Sequence, residues 1–203
     1  MNSLFKSLKV EKQERIINAA IKEFVQSGFD KASTNEIVKE AGISKGSLFN
    51  YFNNKKELYF YLIEHCVQVV EKIYDLIDLN EPDIFIRLEK LGFKKLEIQR
   101  KYPQVFDFLF SLTQEESDEV RSEIKQKIDS VFDQGIALVY EKIDYFKFRD
   151  DIDIQKAIEI LTWTMRGFGE KAINQLSTME EVGEEYLKEW EIYSKMLKDS
   201  FYK

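Results

Sequence analysis

The chain has 203 residues, 44% of them hydrophobic and 33% charged, enough apolar material for a real core in one large domain or a small one joined to a larger one. Two prolines and eight glycines are too few for the turns of an all-β fold, no apolar run approaches the roughly 18 residues of a membrane span, and one cysteine, Cys66, excludes an internal disulfide. The opening Met1–Lys6 has no signal-peptide pattern, so a cytoplasmic protein is expected.

A net charge of −7 argues against a nucleic-acid partner until its distribution is considered. Residues 1–58 carry 10 Lys and Arg against 7 Asp and Glu, a net of +3; residues 59–203 carry 20 against 30, a net of −10. A mildly basic head on an acidic body permits DNA binding without demonstrating it.

In chain order, nearly everything reads as helix. Ile16, Ile17, Ala20, Ile21, Phe24 and Val25 form one apolar stripe, predicting a helix from near Lys9 to Gly28. Ser33 and Glu36 have capping-box spacing at the start of a second helix, which Gly42 closes after about two turns. Ser44 opens a third helix ending near Phe52, and Asn54 with Glu57 repeats the cap before a long fourth helix. Beyond residue 80 the pattern predicts helices over about 82–100, 103–112, 115–143, 152–175 and 179–201, with Pro82 and Pro103 in tolerated first-turn positions. Tyr145–Arg149 alternates like a strand but has no partner strand, and reads as a connection.

The short pair across Ser33–Phe52, joined by Ala41-Gly42-Ile43-Ser44, has the plan of a helix-turn-helix. Ile37, Val38, Leu48 and Phe52 face inward, with Ile43 tucked between the helices. Lys45 can donate to guanine O6 or N7, and Gly46 lets the backbone approach a groove closely. Ser47 and Tyr51 carry hydroxyls suited to phosphate, and Asn50 lies one turn beyond Gly46 in reach of a base edge. Thr34 and Lys55 stand at helix N-termini, where phosphate is a natural ligand. On geometry alone, Lys45 serves equally as a solvated charge, Tyr51 as a half-buried aromatic and Asn50 as a surface amide.

Thr34, Ile37, the run Ala41–Phe49 and the run Tyr51–Leu58 resemble the TetR family of bacterial repressors. Arg15–Ala20 with Phe24, Gly28 and Phe29 is similar to that family's first helix. The resemblance covers about residues 11–60 and implies an all-α fold. Its parts are a DNA-binding head over 1–54 and a larger helical body over 55–203 that binds a small molecule and forms the dimer. It further implies phosphate contact by Thr34, base contact by Lys45 and Gly46, and backbone contact by Ser47, Tyr51 and Lys55. Phe49 stands where the family often has tyrosine, so it loses a hydroxyl and either packs or meets a thymine methyl.

The expected partners are double-stranded operator DNA, a small-molecule effector and a second copy of the chain, with no membrane. In the body, Tyr102, Phe106, Phe110, Tyr140, Trp163 and Phe168 are the candidate effector-lining aromatics, although each reads more readily as core. Phe108 belongs to the same aromatic stretch. The last two helices, with Ile158, Leu161, Ile173, Leu187, Trp190, Tyr193 and Leu197, are the expected homodimer interface.

No metal, cofactor or enzyme chemistry is expected. His65 makes no Glu-x-x-His pair, Cys66 has no histidine at catalytic spacing, and Glu115–Glu119 reads as acids in a helix's first turn rather than as a cation site. The expected function is a ligand-responsive regulator, most simply a repressor released from its operator by a lipophilic or aromatic molecule. An activator of the same kind and a helical protein-interaction module are the alternatives.

Overall fold

The computed structural model describes residues 3–175 and 183–203. Ten α-helices occur among them: α1 Ser3–Lys6, α2 Val10–Lys31, α3 Thr34–Ala41, α4 Lys45–Tyr51, α5 Lys55–Tyr74, α6 Ile84–Lys101, α7 Pro103–Thr113, α8 Arg121–Tyr140, α9 Ile154–Gln175 and α10 Glu184–Phe201. No strand occurs among the described residues; the only β-type pairing there is an isolated bridge between Phe148 and Tyr202. No described helix is long and apolar enough to cross a membrane. The protein is therefore all-α, with an N-terminal helix-turn-helix and a larger helical remainder.

By packing, the chain forms two units, Met1–Val70 with Tyr102–Ile128, and Glu71–Lys101 with Asp129–Lys203. This division follows contacts, whereas the expected cut after residue 54 is one of function; α5 and α8 each run from one unit into the other.

The first unit is organised around α2. Its apolar stripe buries Ile16, Ala20, Ile21 and Phe24, and α3 and α7 pack on it. Tyr59 of α5 sits among Phe24, Phe29 and Phe108, at ring-centroid distances of 4.7, 5.1 and 5.6 Å. Such tilted and edge contacts suit the aromatic quadrupole. Gly28, at φ 68° and ψ 173°, breaks the helical path three residues before the last residue of α2. Gly42 takes the left-handed conformation that closes α3.

Glu115 fixes what the break at Gly28 leaves open. One carboxylate oxygen accepts from the Phe29 N–H at 2.8 Å and from the Tyr59 hydroxyl at 3.4 Å; the other accepts from the Ser117 N–H at 2.9 Å. Ser117 Oγ lies 2.7 Å from Asp30 Oδ1. The helix expected from residue 115 therefore begins only at Arg121, and the acidic run does not occupy its first turn. The Phe29 N–H beside the kink draws Glu115, and the Asp30 side chain draws Ser117.

The second unit has its own core of Ile84, Phe85, Leu88, Val139, Ile143, Phe148, Ala157 and Leu161. Arg87, buried there, donates to the carbonyls of Val139 at 2.8 Å and Glu141 at 2.6 Å and to Glu81 at 3.0 Å, satisfying the end of α8. Asp83 caps α6 through the N–H groups of Phe85 and Ile86 and pairs with Lys147 and Lys198. Tyr145–Lys147, expected as a connection, forms one 3-10 turn. The C-terminus closes over it: Arg149 N donates to Phe201 O, and Lys203 N to Lys147 O.

Candidate DNA-binding surface

Helix α4 is short because its ends are fixed locally. Ser44 Oγ accepts the Ser47 N–H at 3.1 Å, and Phe52 leaves the helix with extended backbone. Leu48 and Phe52 are buried beneath it, beside Ile37, Val38 and Ala41 of α3, while Ile43 is half-buried. Burying this face orients the opposite one, and Lys45, Gly46, Phe49 and Asn50 are all exposed on it, with Ser47 half-buried.

Lys45 forms no ion pair among the described residues; its Nζ lies 6.0 Å from the centroid of the Phe49 ring. Three nearby lysines are matched: Lys22 with Glu40 at 2.8 Å, Lys39 with Glu36 at 3.7 Å, and Lys56 with Glu123 at 2.6 Å. Phe49 is 37% exposed, so packing does not consume the ring. At Gly46 an added Cβ would meet nothing nearer than Ser44 Oγ at 3.9 Å. Space within the fold does not require a glycine there.

Two candidate residues have other partners. Tyr51 is only 9% exposed; its ring packs edge-on to Phe5 at 5.8 Å, and its hydroxyl accepts from Lys12 Nζ at 3.3 Å. Lys55 directs its ammonium to the carbonyls of Phe29 at 2.6 Å and Asp30 at 3.0 Å, so it satisfies the end of α2. Thr34, half-buried, is the first residue of α3.

The capping box expected at Ser33 does not form. Ser33 N–H donates to Glu23 Oε1 at 2.8 Å, and the Ser33 side chain makes no cap bond. The second cap does form, with Asn54 Oδ1 accepting the Glu57 N–H at 2.8 Å while Glu57 accepts the Asn53 N–H at 3.1 Å.

The candidate effector aromatics fall three in each unit. In the first, Phe106 is buried, and Tyr102 and Phe110 are half-buried. In the second, Tyr140 lies 3.0 Å from Thr162 Oγ1, and burial pushes its phenol up to about 12. Phe168 stacks on Tyr186 at 4.3 Å and meets Trp190 and Tyr193, so it belongs to the packing of α9 on α10. Trp163 is 66% exposed on the outer face of α9.

The expected dimer positions are largely spent within the subunit: Leu161 is in the core, and Trp190 and Leu197 pack against it. The Ile173 side chain lies outside the described residues. The exposed apolar positions of α9 and α10 are instead Ile160, Trp163, Ile192, Tyr193 and Met196, which the expected set missed except for Tyr193. They keep helical spacing, but only the second unit's core shows which stripe is left over. Cys66 is buried, which pushes its thiol up to about 12, and no metal-holding cluster occurs among the described residues.

The result is a short, buried-backed helix-turn-helix whose outer face carries a lysine that forms no ion pair among the described residues, the plan of a DNA-binding motif. Residues 16–62 match the family described as bacterial regulatory proteins, tetR family. The chain's similarity to the fatty acid metabolism regulator protein of Bacillus subtilis (strain 168) is 24% identity over 171 residues, covering 77% of this chain and 81% of that protein.

Among solved structures, a TetR family transcriptional regulator from Chloroflexus aurantiacus J-10-FL superposes with a TM-score of 0.65 at 21% identity, covering 99% of this chain and 98% of that one. The fatty acid degradation regulator FadR from Bacillus halodurans gives 0.63 at 19% identity, covering 91% of this chain and 97% of that one. These likenesses establish the fold. Both relatives and neighbours are described as regulators.

Proposed function

We propose that the chain is a cytoplasmic homodimeric repressor that grips a near-palindromic operator with two α4 helices and releases it when a lipophilic effector binds. The single observation carrying the DNA reading is the outer face of α4, where Lys45 lacks an acid and no crowding within the fold demands Gly46. Lys45 and Asn50 read base edges, Gly46 admits the groove wall, and Ser47 and Thr34 hold phosphates. At Lys55 the backbone N–H groups beginning α5 take a phosphate, since the ammonium serves α2. Phe49, exposed beside Lys45, meets a thymine methyl.

Dimerisation uses the exposed apolar positions of α9 and α10, Trp163 and Ile192 foremost, as an isologous interface. Two heads held this way reach half-sites roughly 34–36 Å apart or a multiple of that. The effector class follows from two relatives whose names place them in fatty acid metabolism and degradation. A fatty acyl compound is accordingly the first candidate, ahead of a flat aromatic. Binding it favours a conformation whose head spacing no longer fits the operator, with coupling of roughly 1–3 kcal/mol.

Gel shifts with a duplex selected by the full chain test the reading. Retarded duplex that is freed by long-chain acyl compounds supports it. No retention of any duplex refutes it, and release by flat aromatics alone overturns the acyl assignment.

A further inference from the structure

The segment before α2 is built into the head. Phe5 is only 1% exposed, and its ring sits 4.9 Å from Phe52, 5.2 Å from Tyr61 and 5.8 Å from Tyr51. Tyr51 and Phe52 are the last residue of α4 and its C-cap, so the plug ties the N-terminal arm to the DNA-reading helix. The arm's backbone is held as well. Leu8 N donates to Phe5 O at 3.1 Å, and Gln13 Nε2 donates to the carbonyls of Lys6 at 3.2 Å and Leu8 at 2.8 Å.

This anchoring fixes the place of two cations. Lys6 and Lys9 are exposed and form no ion pair among the described residues, although Glu11 and Glu14 lie close in sequence. Lys12 reaches only the Tyr51 hydroxyl and the face of its ring. Lys22, Lys39 and Lys56 of the same head each have a carboxylate. Lysines without a carboxylate thus include Lys6 and Lys9 of the arm and Lys45 of α4, with Lys31 at the end of α2, on a chain whose net charge is −7.

We propose that the arm is a second DNA-contacting element, in which Lys6 and Lys9 bind backbone phosphates flanking the half-site read by α4. This rests on α4 being the reading helix. Phosphate contacts add affinity and salt dependence without base preference. Phe5 is a positioning residue, holding the arm where its lysines reach the strand.

The test measures affinity of the full chain, from about 50 to 200 mM salt, for a duplex selected by the wild type. Removing each phosphate contact lowers the log–log salt slope by about 0.9, so K6A/K9A should lower it by about 1.8 per protomer. Base preference on reselection should stay unchanged. F5A should give the same slope loss in protein whose circular-dichroism melt shows it folded, and K125A, remote in sequence and exposed, should leave the slope alone.

Wild-type slope and affinity in K6A/K9A, with K45A still changing base preference, would overturn the arm's role and leave the reading of α4 standing. A wild type that binds no duplex would sink both. An equal slope loss in K125A would reduce the effect to net charge and also overturn the proposal.

Discussion

The outer face of α4 and the outer faces of α9 and α10 are both surfaces that the fold leaves unused, yet they differ in kind. On α4 the residues left over are a lysine, a glycine and one phenylalanine; on α9 and α10 they are Ile160, Trp163, Ile192 and Met196. The first set makes sense against a partner with fixed chemistry, the edges and phosphates of a duplex. The second suits a partner with the same apolar surface, since water-exposed side chains of this size find their best burial against a copy of themselves.

The sharpest way to break this contrast is to charge the apolar face. Trp163→Glu or Ile192→Glu should convert the dimer to monomer, with a loss of the order of 2–4 kcal/mol at each central position. Both side chains are more than 60% exposed, so the monomer should keep its helical content. Sedimentation equilibrium checks the mass and circular dichroism the fold. An unchanged dimer would move the interface elsewhere.

On the other face, Lys45→Ala should cost about 1–3 kcal/mol of discrimination at one base pair of each half-site, read by competition between the selected duplex and single-base variants. Lys55→Met separates the two lysines. Its ammonium is bonded to the Phe29 and Asp30 carbonyls, so the loss should appear as about 1–3 kcal/mol of stability in thermal or urea unfolding, with the salt slope of DNA binding kept. A lowered slope at full stability would return the Lys55 side chain to phosphate duty.

How far each surface was legible follows from the same contrast. The turn Ala41–Ser44, the buried set Ile37, Val38, Leu48 and Phe52, and the exposure of Lys45 were readable because each rests on local spacing or on one conformational need, such as the left-handed Gly42. What failed needed distant information. Ser33 loses its capping box because Glu23, ten residues earlier, reaches its N–H first. Residues 115–120 are no helix because Glu115 and Ser117 are drawn to Phe29 and Asp30, 86 and 87 residues away. The expected dimer set took in Leu161 and Trp190, which look as apolar as Ile160 and Ile192 but pack in or against the second unit's core. Only the second unit's core decides which of them is already taken.

A pH test sharpens the account of that core. Burial pushes the Asp83 carboxyl up, but the Lys147 and Lys198 ammoniums and the Ile86 N–H outweigh it and hold it below the usual carboxylate range. A depressed acid gives stability that is full above its unfolded value, near 3.9, and is lost as pH falls through the folded one. Asp83→Asn should therefore lower stability at neutral pH and flatten its decline in acid, in urea titrations across that range. A steeper decline would contradict the assignment.

The smallest expected change in stability is at Gly46, and its sign is what matters. Alanine meets only Ser44 Oγ at 3.9 Å and gains helix propensity, so Gly46→Ala should leave the protein as stable or more stable by about 0.5–1 kcal/mol. If the bare backbone is there to admit the wall of a groove, the same methyl should weaken operator binding while the melting temperature holds or rises. Opposite movement of the two quantities places the demand for glycine outside the protein. A variant that loses stability and keeps its affinity would show that α4 needs glycine for its own folding, and the contrast between the two surfaces would lose its clearest support.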